Sequence, residues 1–229
     1  MSNMKVNENG YPFCNEFNGH KELSYFELTY GARFKIDDRR LFETNLFACV
    51  PSIGSFVEGY LLVIPKKHFL ASLLMPQEYL QELQMISNVL DKYYNNCYRT
   101  GFVVYEHGAA NEENVGGMSV VHAHVHFVPC NSEVIKFCPE FEFIKFGSLI
   151  DASEYYSKYG NDRPYLLFRD IDTTYYLAFS NNIPSQFFRK RVCDIIGQTG
   201  KGDWEVYPFI DNIKKTLNTA HKHELQKMF

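Results

Sequence analysis

The 229-residue chain has no apolar run near the roughly 18 residues needed to span a bilayer. Its best, residues 60–64, has the length of a strand, so no membrane partner is expected. The polar, Asn-rich N-terminus lacks the basic-then-apolar pattern of a secretory signal, and the expected location is the cytoplasm. No two of the six cysteines (Cys14, Cys49, Cys97, Cys130, Cys138, Cys193) form a Cys-x-x-Cys pair. Without a secretion signal they read as six reduced thiols. Positive charge is not in excess either. A net charge of −4 argues against a protein that tracks nucleic acid by phosphate neutralisation alone, while leaving room for a small nucleotide in a local basic pocket. There is no internal repeat and no low-complexity tract.

Apolar residues make up 45% of the chain and aromatics 16%, enough for a real core at this length. Residues 1–20 read as an N-terminal tail with an anchored spot at 11–14. Short β-type runs follow at 40–43, 46–50 and 60–64. Between 76 and 94 the apolar positions (Leu80, Leu83, Ile86 or Val89, Tyr93) recur at helical spacing, with Pro76 suited to a first turn. Strands are predicted again at 102–105 and 119–128, separated by a polar Gly/Asn loop. Beyond Pro129, strands at 141–146, 165–168 and 175–179 and helices at 185–196 and 204–218 complete the pattern. Strands in succession around one long helix give an α+β class: an antiparallel sheet with helices on one face. The expected division is tail 1–20, catalytic domain 21–130, and a C-terminal α+β extension, 131–229, packed on the core.

The chemistry sits at Val121-His122-Ala123-His124-Val125-His126-Phe127-Val128. Strand alternation would put His122, His124 and His126 on one face. Three imidazoles in a row on a core strand are poorly explained by packing. One reading is a metal site, since His-x-His on a strand chelates zinc. The other is nucleophilic catalysis by a neutral imidazole, because crowded imidazoles disfavour one another's protonation. The preceding Gly116-Gly117-Met118-Ser119 favours the second: glycines admit an anion close to backbone N–H groups, and Ser119 adds a hydroxyl.

The run 122–128 fits the His-φ-His-φ-His-φ-φ signature (φ apolar) of the histidine triad (HIT) nucleotide hydrolases and transferases, which the chain resembles over about residues 40–130. A second block, Gly59-Tyr60-Leu61-Leu62-Val63-Ile64-Pro65-Lys66-Lys67-His68, is similar to the strand that ends in Pro-Lys-x-His in that family. The resemblance implies a HIT-like fold and nucleotidyl transfer or hydrolysis at the α-phosphate of a nucleoside phosphoramidate, dinucleoside polyphosphate or related conjugate. It implies His124 as the covalent nucleophile, His126 as the contact to phosphate and leaving group, and His122 as support. Ser119 and Gly117 match the phosphate contacts, and Asn111 matches an active-site asparagine of some members. Ser52 falls at the ribose-binding position. His68 reads as more structural than catalytic, with a phosphate contact as the other role.

A small-molecule nucleotide is the implied partner, homodimers are common in the family, and no cofactor is required. The rivals are a nucleotide- or RNA-binding module without turnover and a metal-dependent hydrolase using the triad as ligands.

Departures matter. Zinc-binding members begin with Cys-x-x-Cys, where this chain has Tyr11-Pro-Phe-Cys14, and Tyr60 stands where a Gly-His histidine is expected. The resemblance then implies a dismantled zinc site, to which His20 is the one further candidate donor. Glu106-His107-Gly108 either lines the site or marks a strand end. Gln186, Arg189, Lys190 and Arg191 read as a solvated basic face, the alternative being that Arg189 or Lys190 reaches the substrate phosphates. Phe187-Phe188-Arg189-Lys190 with Asp203-Trp204 is faintly similar to the C-terminal region of CwfJ-type relatives, which keeps RNA-linked substrates open.

Overall fold

Residues 10–113, 120–160 and 162–229 are described by the structure, a computed structural model. The strands are β1 (Phe42–Glu43), β2 (Phe47–Pro51), β3 (Leu61–Pro65), β4 (Phe102–Gly108), β5 (Val125–Pro129), β6 (Ile144–Phe146), β7 (Tyr165–Arg169) and β8 (Tyr175–Phe179). They form one antiparallel sheet in the order β1-β2-β3-β5-β4-β7-β8-β6. The helices are α1 (Pro12–Phe17), α2 (Ala32–Phe34), α3 (Gln77–Tyr98), α4 (Leu149–Tyr159), α5 (Phe187–Ile195) and α6 (Ile210–Lys222). This is the α+β class with an antiparallel sheet that was expected, but helices pack on both faces rather than on one. No described helix is long and apolar enough to cross a membrane.

Strand alternation sorts the core into two layers. Cys49, Leu61, Val63, Phe102, Val104 and Phe127 face α3, whose stripe of Leu80, Leu83, Ile86, Leu90 and Tyr94 repeats at helical spacing. The opposite face carries Tyr60, Leu62, Tyr105, Val128 and Phe168, packed with Phe13 of α1 and with Phe187, Phe188 and Val192 of α5. The second face holds the functional site.

The sheet does not stop where the HIT-like resemblance fades. β7 pairs with β4 from Val104↔Arg169 to Gly108↔Tyr165, so residues beyond 131 widen the same sheet. α4 was not expected, although Ser148-Leu-Ile-Asp151 carries its start: the Ser148 hydroxyl accepts from Asp151 N at 3.1 Å. α6 begins at Ile210, not 204, because Pro208 cannot donate and biases Tyr207 away from helix. β5 begins at Val125 rather than 119. The chain just before it bends, with His122 N donating to Val120 O and Ala123 N to Phe69 O. That bend gives His122 a different destination from its two neighbours.

Candidate functional site

A cavity opens on the second face, lined by His124, His126, Tyr105, Ser52, Arg189 and Phe13 among others. The register places its chemistry: Leu62 and Tyr105 flank His126 from β3 and β4. The roof comes from the segment expected to be a tail. Phe13 of α1 packs edge-on against His122 and His124, with ring centroids 5.7 and 5.6 Å apart. α1 is held there by a buried ion pair. Arg39 donates to both carboxylate oxygens of Glu16 at 2.6 and 2.7 Å and to Pro51 O at 2.9 Å.

His124 Nδ1 lies 2.7 Å from the carbonyl oxygen of His122. A carbonyl only accepts, so Nδ1 carries the proton and Nε2 keeps its lone pair. Burial lowers the pKa of His124, opposed by that hydrogen bond and reinforced by Arg189. A neutral imidazole with a free Nε2 beside a cavity is the form a nucleophile needs. The His126 ring lies 5.0 Å from that of His124, and its Nδ1 is 2.7 Å from the Tyr60 hydroxyl. Burial holds its pKa well below the usual value, with His124 and Arg189 adding to the effect.

His122 does not line the cavity. Its Nε2 donates to Pro65 O at 2.9 Å, leaving Nδ1 as an acceptor that faces Cys14 Sγ at 3.5 Å and His68 Nδ1 at 3.3 Å. Cys14 Sγ and His68 Nδ1 are 3.8 Å apart. Zn–N and Zn–S bonds of about 2.0 and 2.3 Å in a tetrahedron require donor separations of roughly 3.3–3.6 Å. The two separations from His122 match corners of a zinc site and the Cys14–His68 separation is about 0.2 Å too long, while the Nε2–H···O=C bond of His122 is the outer-shell support such ligands use. This cluster differs from the ligand positions that the resemblance implies. Tyr60 is not at a corner; its hydroxyl meets Tyr105, His126 and Arg189 instead, and His68 supplies the third donor. Tyr11 stacks on His68 with centroids 4.0 Å apart, while its hydroxyl donates to Glu112. His20 stands exposed beside Glu22 and takes no part.

Ser52 is buried at the cavity wall, where its hydroxyl accepts from Arg189 and donates to Ile53 O. Asn111 is not brought to the cavity; it is exposed and its side chain accepts from Glu113 N. Ser119 and Gly117 lie outside the described residues. His107 lines the cavity, whereas Glu106 points to the other face and bonds Ser72 and Tyr165.

The basic face on α5 needs correction at one residue. Lys190 is exposed and Arg191 pairs with Glu140, but Arg189 is 4% exposed and lines the cavity. Its guanidinium donates to Gly202 O, Ser52 Oγ, Tyr60 Oη and Gly54 O. Gly54 makes this docking possible: its φ is +73°, and a Cβ there would lie 2.8 Å from Trp204 Cα. Tyr105, Arg39 and Phe13 were not anticipated. Only Tyr105 had a readable signal, since an aromatic on the strand beside a His-x-His strand falls on one of two faces.

Residues 42–143 match the family described as "Protein similar to CwfJ C-terminal". No curated protein matches the chain significantly. Among solved structures, a hypothetical histidine triad nucleotide-binding protein from Sulfolobus tokodaii is 21% identical over 51% of this chain and 66% of its own, just under two thirds, with a TM-score of 0.37. A HIT family member from Bacillus subtilis is 17% identical, covering 65% of this chain and 96% of its own at a TM-score of 0.40. A Zn-bound histidine triad protein from Mycobacterium smegmatis is 21% identical over 44% and 72%, at 0.33. What the chain is similar to by family is thus confined to residues 42–143, which match the CwfJ C-terminal family and include β1 to β5 and α3 of the sheet.

Proposed function

We propose that the cavity takes a nucleotide conjugate (a nucleoside phosphoramidate, a dinucleoside polyphosphate or a relative) and that His124 attacks its α-phosphorus. The 2.7 Å contact of His124 Nδ1 to the His122 carbonyl carries this reading, because it frees Nε2 to attack. In the first step the Nε2 lone pair forms an N–P bond while the bond from phosphorus to the leaving group breaks, its electron pair leaving with that group. In the second, water or another acceptor forms a bond to phosphorus, and the N–P electrons return to Nε2. His126 contacts the phosphate and the leaving group. Buried Arg189, which has no carboxylate partner among the described residues, contributes positive potential where phosphate charge develops.

Cys14, His68 and His122 would hold a structural zinc ion, fastening the α1 segment over the site; such an ion supplies rigidity and no part of the covalent step. The soluble, cytoplasmic setting and a possible dimer belong to the same reading.

The test is intact mass spectrometry with rapid acid quench, after wild type and His124→Ala are mixed with an adenosine phosphoramidate or a dinucleoside polyphosphate. Turnover and a nucleotidyl adduct on wild type alone are expected. Turnover that survives in the variant would sink the covalent reading, and binding without turnover would make the protein a nucleotide-binding module.

A further inference from the structure

The departure at Tyr60 creates a buried hydroxyl cluster behind His126. Tyr60 Oη lies 2.7 Å from His126 Nδ1, 2.5 Å from Tyr105 Oη and 3.0 Å from Arg189 Nη1. The sheet makes the meeting obligatory. Tyr105 is the direct cross-strand partner of His126, and Tyr60 precedes by two positions the partner on the other side, Leu62, on the same face. The rings of Tyr105 and His126 stack at 4.5 Å, and both tyrosines are fully or almost fully buried.

Counting protons leaves one complete arrangement. Arg189 can only donate, so it occupies one lone pair of Tyr60 Oη. Tyr105 has no described acceptor other than Tyr60. If Tyr60 donated to Tyr105, the Tyr105 proton would be stranded in the core, at a cost of about 1–3 kcal/mol. If Tyr105 donates to Tyr60, both lone pairs of Tyr60 Oη are filled and its own proton points to His126 Nδ1. The two hydroxyls and the Arg189 N–H are then satisfied, and the His126 proton sits on Nε2, the nitrogen not engaged by Tyr60. His124 and His126 come out as opposites: Nε2 is a bare lone pair on the first and an N–H donor on the second.

We propose that Tyr60, oriented by Arg189 and Tyr105, is a positioning residue that fixes His126 as its Nε2–H tautomer, so that His126 offers a hydrogen bond to the phosphate or leaving group and cannot compete with His124 as nucleophile. The proposal rests on the reading of the cavity as a phosphoryl-transfer site, but the tautomer itself does not depend on any substrate. Arg189 belongs to α5, so the chain beyond residue 131 reaches the reacting histidines through this hydroxyl.

The test is nitrogen NMR of imidazole-¹⁵N-labelled full-length protein at neutral pH, with wild type, Tyr60→Phe and Tyr105→Phe. Wild type should show His126 protonated on Nε2. Tyr60→Phe should populate the Nδ1–H form and lower turnover by about 10- to 100-fold, mainly in kcat, as loss of a positioned donor does. Tyr105→Phe should keep the Nε2–H form, because Tyr60 Oη keeps Arg189 as its donor and His126 Nδ1 as its acceptor. Wild-type His126 protonated on Nδ1 would overturn the proposal, and so would a Tyr60→Phe spectrum matching wild type. If Tyr60→Phe does not fold, the wild-type spectrum still decides. Absence of a His124 adduct would count against the reading of the reaction and leave the tautomer result standing.

Discussion

Glu106 should make the protein less stable as pH rises, the reverse of what a paired surface carboxylate does. Its side chain is 1% exposed on the α3 face and accepts from Ser72 N at 2.8 Å, from Tyr165 Oη at 2.7 Å and from the Ser72 hydroxyl. Burial outweighs these bonds and raises its pKa from 4.5 to about 7. The folded state therefore binds a proton that the unfolded state releases across pH 4.5–7, and stability falls with rising pH over that window. At about 1.4 kcal/mol per pH unit, the full effect is about 3 kcal/mol, of which some 2–3 kcal/mol falls between pH 5 and pH 8. Glu106→Gln cannot ionise, yet its amide can still donate to Ser72 Oγ and accept from Ser72 N. Buried histidines contribute with the opposite sign in both proteins and cancel in the difference. Urea unfolding at half-unit steps should show wild type losing about 2–3 kcal/mol more than the variant from pH 5 to pH 8. Parallel pH profiles would refute the reasoning, for they would mean that Glu106 is ionised in the fold throughout.

Two other perturbations act elsewhere. Gly54→Ala forces a side chain into a left-handed turn against Trp204 and disturbs the carbonyl that Arg189 holds; urea melts should show a loss of about 1–3 kcal/mol, and an unchanged midpoint would remove the argument for that close approach. Protein purified without chelator should carry about one zinc per chain by elemental analysis, reduced severalfold in Cys14→Ala; equal metal content in the two would show that Cys14 is not a ligand.

The sheet and α3 were legible because their apolar positions repeat at the periods of 2 and 3.6 that buried faces impose. His126 on β5 and His124 just before it were legible for the same reason, since the alternation carries both to the cavity side. What escaped was set by long-range contacts. His122 has the spacing of a strand residue, but the bend before Val125 and the Pro65 carbonyl turn its ring toward Cys14, 108 positions earlier in the chain. α1 carries too few residues to announce a helix, and it is the Arg39–Glu16 pair that keeps it over the triad. Arg189 sits in a run of basic residues that would ordinarily face solvent, and nothing local distinguishes it from Lys190 or Arg191.

Tyr60 and Arg189 are best understood together. A tyrosine just before β3 could be read as the loss of a ligand, and a buried arginine without a carboxylate is costly by itself. Side by side, each explains the other. The phenol oxygen gives the guanidinium an acceptor in the core, and the guanidinium occupies a lone pair that would otherwise compete for the proton Tyr60 directs at His126. Two unfavourable choices made separately become one satisfied network, which is the condition under which buried polar groups rigidify a site instead of weakening it. The chain beyond residue 131 is therefore part of the cavity: without α5 the hydroxyl behind His126 loses the donor that orients it.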